Sequence, residues 1–412
     1  MRGPRDILDG VSRSRFWTAV NRLLGRPPSD WMGPDPAKLA SRERTPIAAD
    51  DRHEVVVLPG AGRDAAVLSG LAARGHRVFN VLARPAAGSA PYELSDAGAF
   101  PHDVALPPAA RFEGLDALRR DLSFGATVCV TSDPAWQPLA ERLRAEQNWP
   151  TVSAASSPPD LARAFPLLSV VIVTFDNRDL NQLCLESVLA RTEWPHREIL
   201  VVDNGSTDGT RELLSELAAT NPEIRPIFLA ENRGYPAAVN AGLSEARGVF
   251  LVLLNNDTVV TRGWATALLR HLARDRGLGL VGPVTNAISN AARVEVGYAG
   301  LEDLPAWAAG WTRAHDGEAF PIPTLAFFCA ALRREVFERV GLLDERFGIG
   351  MFEDGDYVRR VRAAGFDIRC ARDAFVHHWQ MASFRKLGKD AYLRLFEENR
   401  RKFEEKWGAS LP

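Results

Sequence analysis

Four short runs of aliphatic and β-branched residues, Ser169–Thr174, Glu198–Val202, Arg225–Leu229 and Val249–Leu254, alternate with segments of helical periodicity at Leu180–Ala190, Asp208–Ala219 and Tyr235–Ala246. Strands this apolar are buried on both faces, and joined by helices they fold into a parallel sheet with crossover connections. An open sheet of that kind takes its ligands at the carboxyl ends of the strands, where the strand order reverses. What stands at those ends therefore matters most.

Two of the runs end in polar clusters that contain an acid. Val249–Leu254 stops at Asn255-Asn256-Asp257, where a carboxylate is placed to hold a divalent cation and, through it, two phosphate oxygens. The second run ends at Asp203, followed by Asn-Gly-Ser-Thr-Asp-Gly-Thr, and a carboxylate there can accept hydrogen bonds from a nucleobase or a ribose. Either cluster alone could be a capped strand-to-helix turn. Their occurrence in neighbouring βα units favours a shared crevice. The first run ends in Thr174-Phe-Asp-Asn177 without a glycine, which argues against the Gly-rich loop that a nucleotidyltransferase would wrap round a triphosphate.

Further along, Met351-Phe-Glu353-Asp354-Gly-Asp356-Tyr is an acidic stretch between aromatic residues, suited to a partly buried general base; the plainer reading is a solvated helix N-terminus. A helix is expected over Arg333–Val340, another over Asp356–Ala364, and a final amphipathic one carrying Tyr392, Phe396, Phe403 and Trp407, whose aromatic face suits a core or a homo-oligomer interface. His377 and His378 follow the extended run Cys370–Val376. Neighbours on a strand point to opposite faces, so at most one of them serves a given metal. Between Leu254 and about residue 325 the pattern is irregular, apart from a helix near Trp264–Leu272.

Residues 53 to 155 show a second strand–helix rhythm, with strands at Glu54–Leu58, Arg77–Leu82 and Ala126–Thr131 and helices at Ala65–Arg74 and Pro138–Glu146. Gly60-Ala-Gly62-Arg-Asp-Ala65 imitates a dinucleotide fingerprint, but the acid expected about 20 residues later is missing, which disfavours NAD(P). The reading divides the chain into an N-terminal arm (1–50), a Rossmann-like α/β domain (51–160), an α/β catalytic domain (166–385) and a C-terminal helix (386–412). In the arm, Phe16, Trp17, Val20, Leu23 and Leu24 recur at helical spacing among arginines, a pattern that either lies on a membrane surface or docks on protein. A formal net charge of −2 provides no basic field for nucleic acid. The four cysteines lack metal or disulfide spacing, which with the apolar-poor N-terminus points to a cytoplasmic protein, peripheral at most to the inner face of a membrane.

SVVIVTFDN, EILVVDNGSTDGT, ENRGYPAAVNAGL, FLVLLNNDTVV, MFEDGDYVRRVRAAG and FVHHWQMASF, in that order between about 168 and 408, resemble the family 2 glycosyltransferases of the GT-A fold, particularly rhamnosyltransferase-like members. The resemblance implies an inverting transfer of a sugar from a nucleoside diphosphate (dTDP-rhamnose or a UDP-hexose) to a hydroxyl of a bacterial surface glycan or glycolipid. It also implies donor contacts from Thr174, Asp203, Arg233, Asn240, Asn256 and Asp257. Mn²⁺ or Mg²⁺ would sit on Asp257 and His378. Asn255 stands where the family's metal motif has its first acid, so the metal shell carries less negative charge. Asp354 is the implied base, beside Glu353, with Asp356 as the fallback. Segments HEVVVLPGAG, LAARGHRVFNVLA and TSDPAWQPLAERLR more faintly resemble the N-terminal half of a GT-B glycosyltransferase, which suggests an accessory domain. A catalytically inactive sugar-nucleotide-binding scaffold and a nucleotidyltransferase are the competing readings.

Overall fold

The computed structural model describes residues 166–379 and 388–408 except 193 and 195, together with the backbone of six strands between residues 54 and 153. Those six are β1 (Glu54–Val57), β2 (Arg77–Leu82), β3 (Tyr92–Asp96), β4 (Ala110–Phe112), β5 (Thr127–Thr131) and β6 (Thr151–Ser153), in the order β4-β3-β2-β1-β5-β6. The pairs β1–β2, β1–β5 and β5–β6 are parallel, as the rhythm predicts. The antiparallel β3 and β4 were not expected and make the sheet mixed. The arm, the glycine-rich segment after β1 and the helices expected in this half lie outside the described residues.

A second sheet has nine strands. Its central part is β9 (Ile224–Phe228), β8 (Arg197–Asp203), β7 (Leu168–Thr174), β10 (Phe250–Asn255), β14 (Cys329–Arg333), β12 (Leu278–Val284) and β15 (Asp367–His378), in that spatial order. The short β11 (Thr258–Val260) and β13 (Ala319–Pro321) both pair antiparallel with β15. Helices α1 (Arg178–Arg191), α2 (Thr210–Thr220), α3 (Tyr235–Glu245) and α4 (Trp264–Arg274) accompany the first strands, followed by α5 (Leu304–Ala314), α6 (Arg334–Val340), α7 (Glu353–Ala363) and α8 (Lys389–Trp407). Strands β7 and β12 are buried along their whole length and β10 up to its last residue, which is why they read as unbroken apolar runs.

Strand order reverses beside β7, which has β8 on one side and β10 on the other, both parallel to it. Because β14 alone in the central path runs antiparallel, β12 and β15 regain the direction of β10. The carboxyl ends of β7, β8, β10 and β15, at Thr174, Asp203, Asn255 and His378, thus face the same way. The start of β14 comes to that edge too, since the Asn255 amide donates to the Phe328 carbonyl at 2.8 Å.

Two sequence readings need correction. The segment expected to be irregular contains β12 and α5; Gly279, Gly282 and Pro283 hid the strand, and Pro283 sits at a register shift, where a missing N–H costs little. The helix expected from Asp356 starts at Glu353, so its acids occupy the first turn. Cys184, Cys329 and Cys370 are buried free thiols, as their apolar surroundings suggest.

At the amino ends of the strands, Glu198 gathers four partners. Its carboxylate accepts from Ser169 Oγ (2.7 Å), the Arg247 amide (2.7 Å) and the guanidiniums of Arg247 (2.7 Å) and Arg225 (2.8 Å). Burial pushes the carboxyl up, but these donors together outweigh it and hold it down at about 2. The contribution is therefore present above the ordinary carboxylate value and is lost as pH falls toward about 2. Glu198→Ala, which strands the buried Ser169 hydroxyl and the Arg247 amide, is expected to lower stability by about 2 kcal/mol in urea unfolding. An unchanged midpoint would contradict this staple.

Candidate active site

The ends of β7 and β8 interlock. Asp203 lies opposite Thr174 in the register, and the Thr174 hydroxyl lies 3.5 Å from its Oδ1. Asp203 also accepts the Ser206 amide at 3.2 Å and pairs with Arg211 at 3.5 Å, so its wholly buried carboxylate is closed over by a half-exposed guanidinium. Asp176 and Asn177 turn through the left-handed region, and Asp176 accepts the Thr207 amide from the neighbouring loop. This is a rigid polar floor beside the switch point.

On the other side of β7, β10 runs out at Asn255. Asn256 donates to Asn181 Oδ1 on α1 at 2.6 Å, which fixes the turn. The next residue, Asp257, is tied by its carbonyl to the Trp379 amide at 3.0 Å, and Thr258 pairs with His378. Side chains of Asp257 and His378 consequently meet, with Nε2 3.3 Å from Oδ1, and both residues are buried. The imidazole is held on three sides. Its backbone amide donates to Asn286 at 2.8 Å, Nδ1 lies 3.1 Å from the Ala287 carbonyl, and the Phe328 ring stacks on it at 4.9 Å.

A carbonyl only accepts, so Nδ1 carries the proton and the Nε2 lone pair of a neutral ring points at a carboxylate oxygen. Two acceptors in that position need a positive charge between them, either a second proton or a metal ion. A ligating His whose other nitrogen donates to a backbone carbonyl is the usual support for a metal. The donor set, one carboxylate and one imidazole, fits Mn²⁺ or Mg²⁺ with further oxygens from a ligand. Among the described residues no group of three or more His, Cys, Asp or Glu stands ready to hold a metal unaided. His377 points the other way, as the strand alternation requires, with Nδ1 2.7 Å from the Tyr298 hydroxyl. Burial and then the neighbouring His378 push its pKa down to about 3, so it stays neutral at ordinary pH.

Glu353 and Asp354 open α7. The chain reaches them through Met351 and Phe352, both left-handed at φ 77° and 74°. Gly234 allows this loop to approach α3, because a Cβ there would lie 2.0 Å from the Gly348 carbonyl oxygen. Burial raises both carboxyls well above the usual range, and the charge of Asp354 raises Glu353 further. Asp354 accepts the Gly355 amide at 2.7 Å, and Oε2 of the buried Glu353 has no hydrogen-bond partner. Tyr235 connects the two halves of the site: after burial, the carboxylates of Glu353, Asp354 and Asp257 are what raise its phenol, so all three lie within its electrostatic reach.

The remaining expected residues divide. Arg233 is exposed and its amide is held by Asn204 at 2.9 Å. Asn240 is engaged with the segment before the acidic loop: its amide donates to the Leu343 carbonyl (3.0 Å) and Glu345 (2.9 Å), and its oxygen accepts the Leu343 amide (2.9 Å). Asp356 is wholly buried and bound to Arg360 (2.9 Å), Lys406 (2.5 Å) and the Trp407 indole (2.9 Å), partners that anchor α7 to the C-terminal helix. Sequence reasoning missed Tyr235 and Phe328. Tyr235 lies in a quoted motif, but only the fold shows what it faces.

Glu353 binds a proton more readily in the folded than in the unfolded chain, so its ionisation destabilises the fold as pH rises above the ordinary carboxylate value. Glu353→Gln is expected to raise Tm at pH 8 and to leave it nearly unchanged at pH 4. A lower Tm at pH 8 would show instead that the ionised carboxylate is satisfied.

Residues 169–341 match the family model described as Glycosyl transferase family 2. The chain is 30% identical over 229 residues to the uncharacterized protein y4gI of Sinorhizobium fredii, covering 53% of this chain and 25% of that one. It is 32% identical over 235 residues to the O-antigen biosynthesis protein RfbC of Myxococcus xanthus, covering 52% of this chain and 18% of that one. Against the N-acetylglucosaminyl-diphospho-decaprenol L-rhamnosyltransferase of Mycobacterium tuberculosis, identity is 29% over 230 residues, 48% of this chain and 72% of that one. The chain thus spans a quarter or less of the length of the first two of these relatives. The matched segment carries β8 to β14 and places Asp203 and Asp257 at one edge of the mixed sheet, and over that segment the chain is similar to the family 2 glycosyltransferases.

Proposed function

We propose that the chain is an inverting, metal-assisted glycosyltransferase that moves a hexose from a nucleoside diphosphate to a hydroxyl of a bacterial surface glycan or glycolipid. The observation that carries this reading is the Asp257–His378 pair, two acceptors facing one another at 3.3 Å at the carboxyl edge of the sheet, with Asp354 and Asp257 both near enough to raise the Tyr235 phenol. Asp203 and Thr174 stand at the carboxyl ends of β8 and β7 and would contact the nucleoside, with Arg233 and Asn256 as further donor contacts. Asp257 and His378 would hold Mn²⁺ or Mg²⁺, which when bound supplies positive charge for the diphosphate.

Asp354 then takes the proton of the acceptor hydroxyl as its oxygen bonds to the anomeric carbon. The bond from that carbon to the phosphate oxygen breaks, and the nucleoside diphosphate leaves with the electron pair. A single displacement needs one base and no enzymic nucleophile, and it inverts the anomeric centre. Burial suits Asp354 to this role, because a raised pKa makes a carboxylate a better base near neutral pH. The likeness to a rhamnosyltransferase makes dTDP-rhamnose the first donor to test and UDP-hexoses the second. Residues 51–160 are read as an accessory domain for acceptor or partner contact. Among the described residues no helix is long and apolar enough to cross a membrane.

Asp354→Asn is expected to cut turnover of the donor in the presence of Mn²⁺ by a factor of about 100 or more, measured as nucleoside diphosphate release, while donor affinity stays within about threefold. Turnover close to that of the unaltered chain would remove Asp354 as the base. In the active chain the acid limb of the pH–rate profile should lie above the ordinary aspartate value.

A further inference from the structure

The loop that delivers Asp354 has an unusual backbone. Gly348, Gly350, Met351 and Phe352 all have positive φ, at 58°, 135°, 77° and 74°. Such a run lacks the regular ladder of amide donors that a helix gives its carbonyls, so several of them need donors from elsewhere. One side chain collects three of them. Asn399, midway along α8 and wholly buried, donates from Nδ2 to the carbonyls of Phe347 (2.7 Å), Gly350 (2.8 Å) and Met351 (3.3 Å). An amide has two hydrogens, so the third contact is a shared one. Its Oδ1 accepts from Lys402 at 3.2 Å, which fixes which end of the amide faces the loop.

The same helix grips the residues on either side of the loop. Phe403 packs with Phe347 and Phe352, Lys406 reaches Asp344 at 2.6 Å and Asp356 at 2.5 Å, and Trp407 donates to Asp356 at 2.9 Å. On its opposite side the loop rests on α3, where the Tyr235 amide donates to the Ile349 carbonyl at 3.3 Å. The loop that bears Asp354 is therefore clamped between α3 and the C-terminal helix.

We propose that Asn399 is a positioning residue: it fixes the left-handed run that sets where the Asp354 carboxylate stands, and the C-terminal helix serves the reaction in this way without touching substrate. The proposal rests on the reading of Asp354 as the base. A displacement of the base of about 1 Å is enough to cost about a hundredfold in rate, whereas the bonds from Asn399 go to the loop alone, so donor binding should change little.

The test is Mn²⁺-dependent hydrolysis of dTDP-rhamnose or a UDP-hexose, with water standing in for the acceptor, alongside binding of the corresponding nucleoside diphosphate and Tm. Asn399→Ala should lower kcat tenfold or more, with nucleoside diphosphate affinity within about threefold and a cooperative unfolding transition retained. A folded Asn399→Ala protein with unchanged kcat overturns the proposal, even if its Tm has dropped. Should that variant not accumulate folded, Trp407→Phe decides in its place: reduced kcat at unchanged affinity supports the clamp, and unchanged kcat overturns it. Asp354→Asn in the same series separates the two ideas. Retained turnover there removes the base assignment, while an inactive Asp354→Asn beside a fully active Asn399→Ala removes only the positioning role.

Discussion

A carboxylate and the lone pair of an imidazole repel unless something positive lies between them, and the site of this protein is organised round one such pair. The Ala287 carbonyl obliges His378 to carry its proton on Nδ1, and Phe328 and Asn286 hold the ring, so Nε2 faces Asp257 at 3.3 Å. A proton relieves the repulsion only by turning the pair into an ion pair. A divalent cation relieves it and leaves coordination positions open for phosphate oxygens. The pair depends in turn on the sheet: antiparallel β14 returns β15 to the direction of β10, so that His378 and Asp257 finish at the same edge.

The second group of acids is built on a different principle. Glu353 and Asp354 lie in the first turn of a helix, where backbone N–H groups favour negative charge, yet burial raises both. Ionising either carboxyl therefore costs the fold stability. The left-handed residues that lead into the helix add a further cost, and the C-terminal helix offsets it by taking the loop's carbonyls and by closing Asp356 into a cluster with Lys406 and Trp407.

Much of this was legible in the sequence, for definite reasons. Buried parallel strands are unbroken apolar runs, so β7, β8 and β10 were visible, and the polar residues at their ends marked the edge of the sheet. Alternation along β15 showed that His377 and His378 must part company, and the structure sends one to Tyr298 and the other to Asp257. What stayed hidden depends on contacts between distant segments. Strand β12 was concealed by its glycines and proline. Nothing local separates Asp356, neutralised by residues 50 positions away in α8, from Asp354 two positions before it. Asn240 has the look of a ligand contact in sequence and holds a loop in the fold.

The central claim, that Asp257 and His378 are half of a metal shell completed by a nucleoside diphosphate, is most directly tested by electron spin echo modulation of Mn²⁺ added with UDP or dTDP. The account predicts coupling to one imidazole nitrogen that appears only when the nucleotide is present and vanishes in His378→Ala. A Mn²⁺ signal without any nitrogen coupling in the nucleotide complex would contradict it, and would leave the 3.3 Å pair as a protonated ion pair with a structural role.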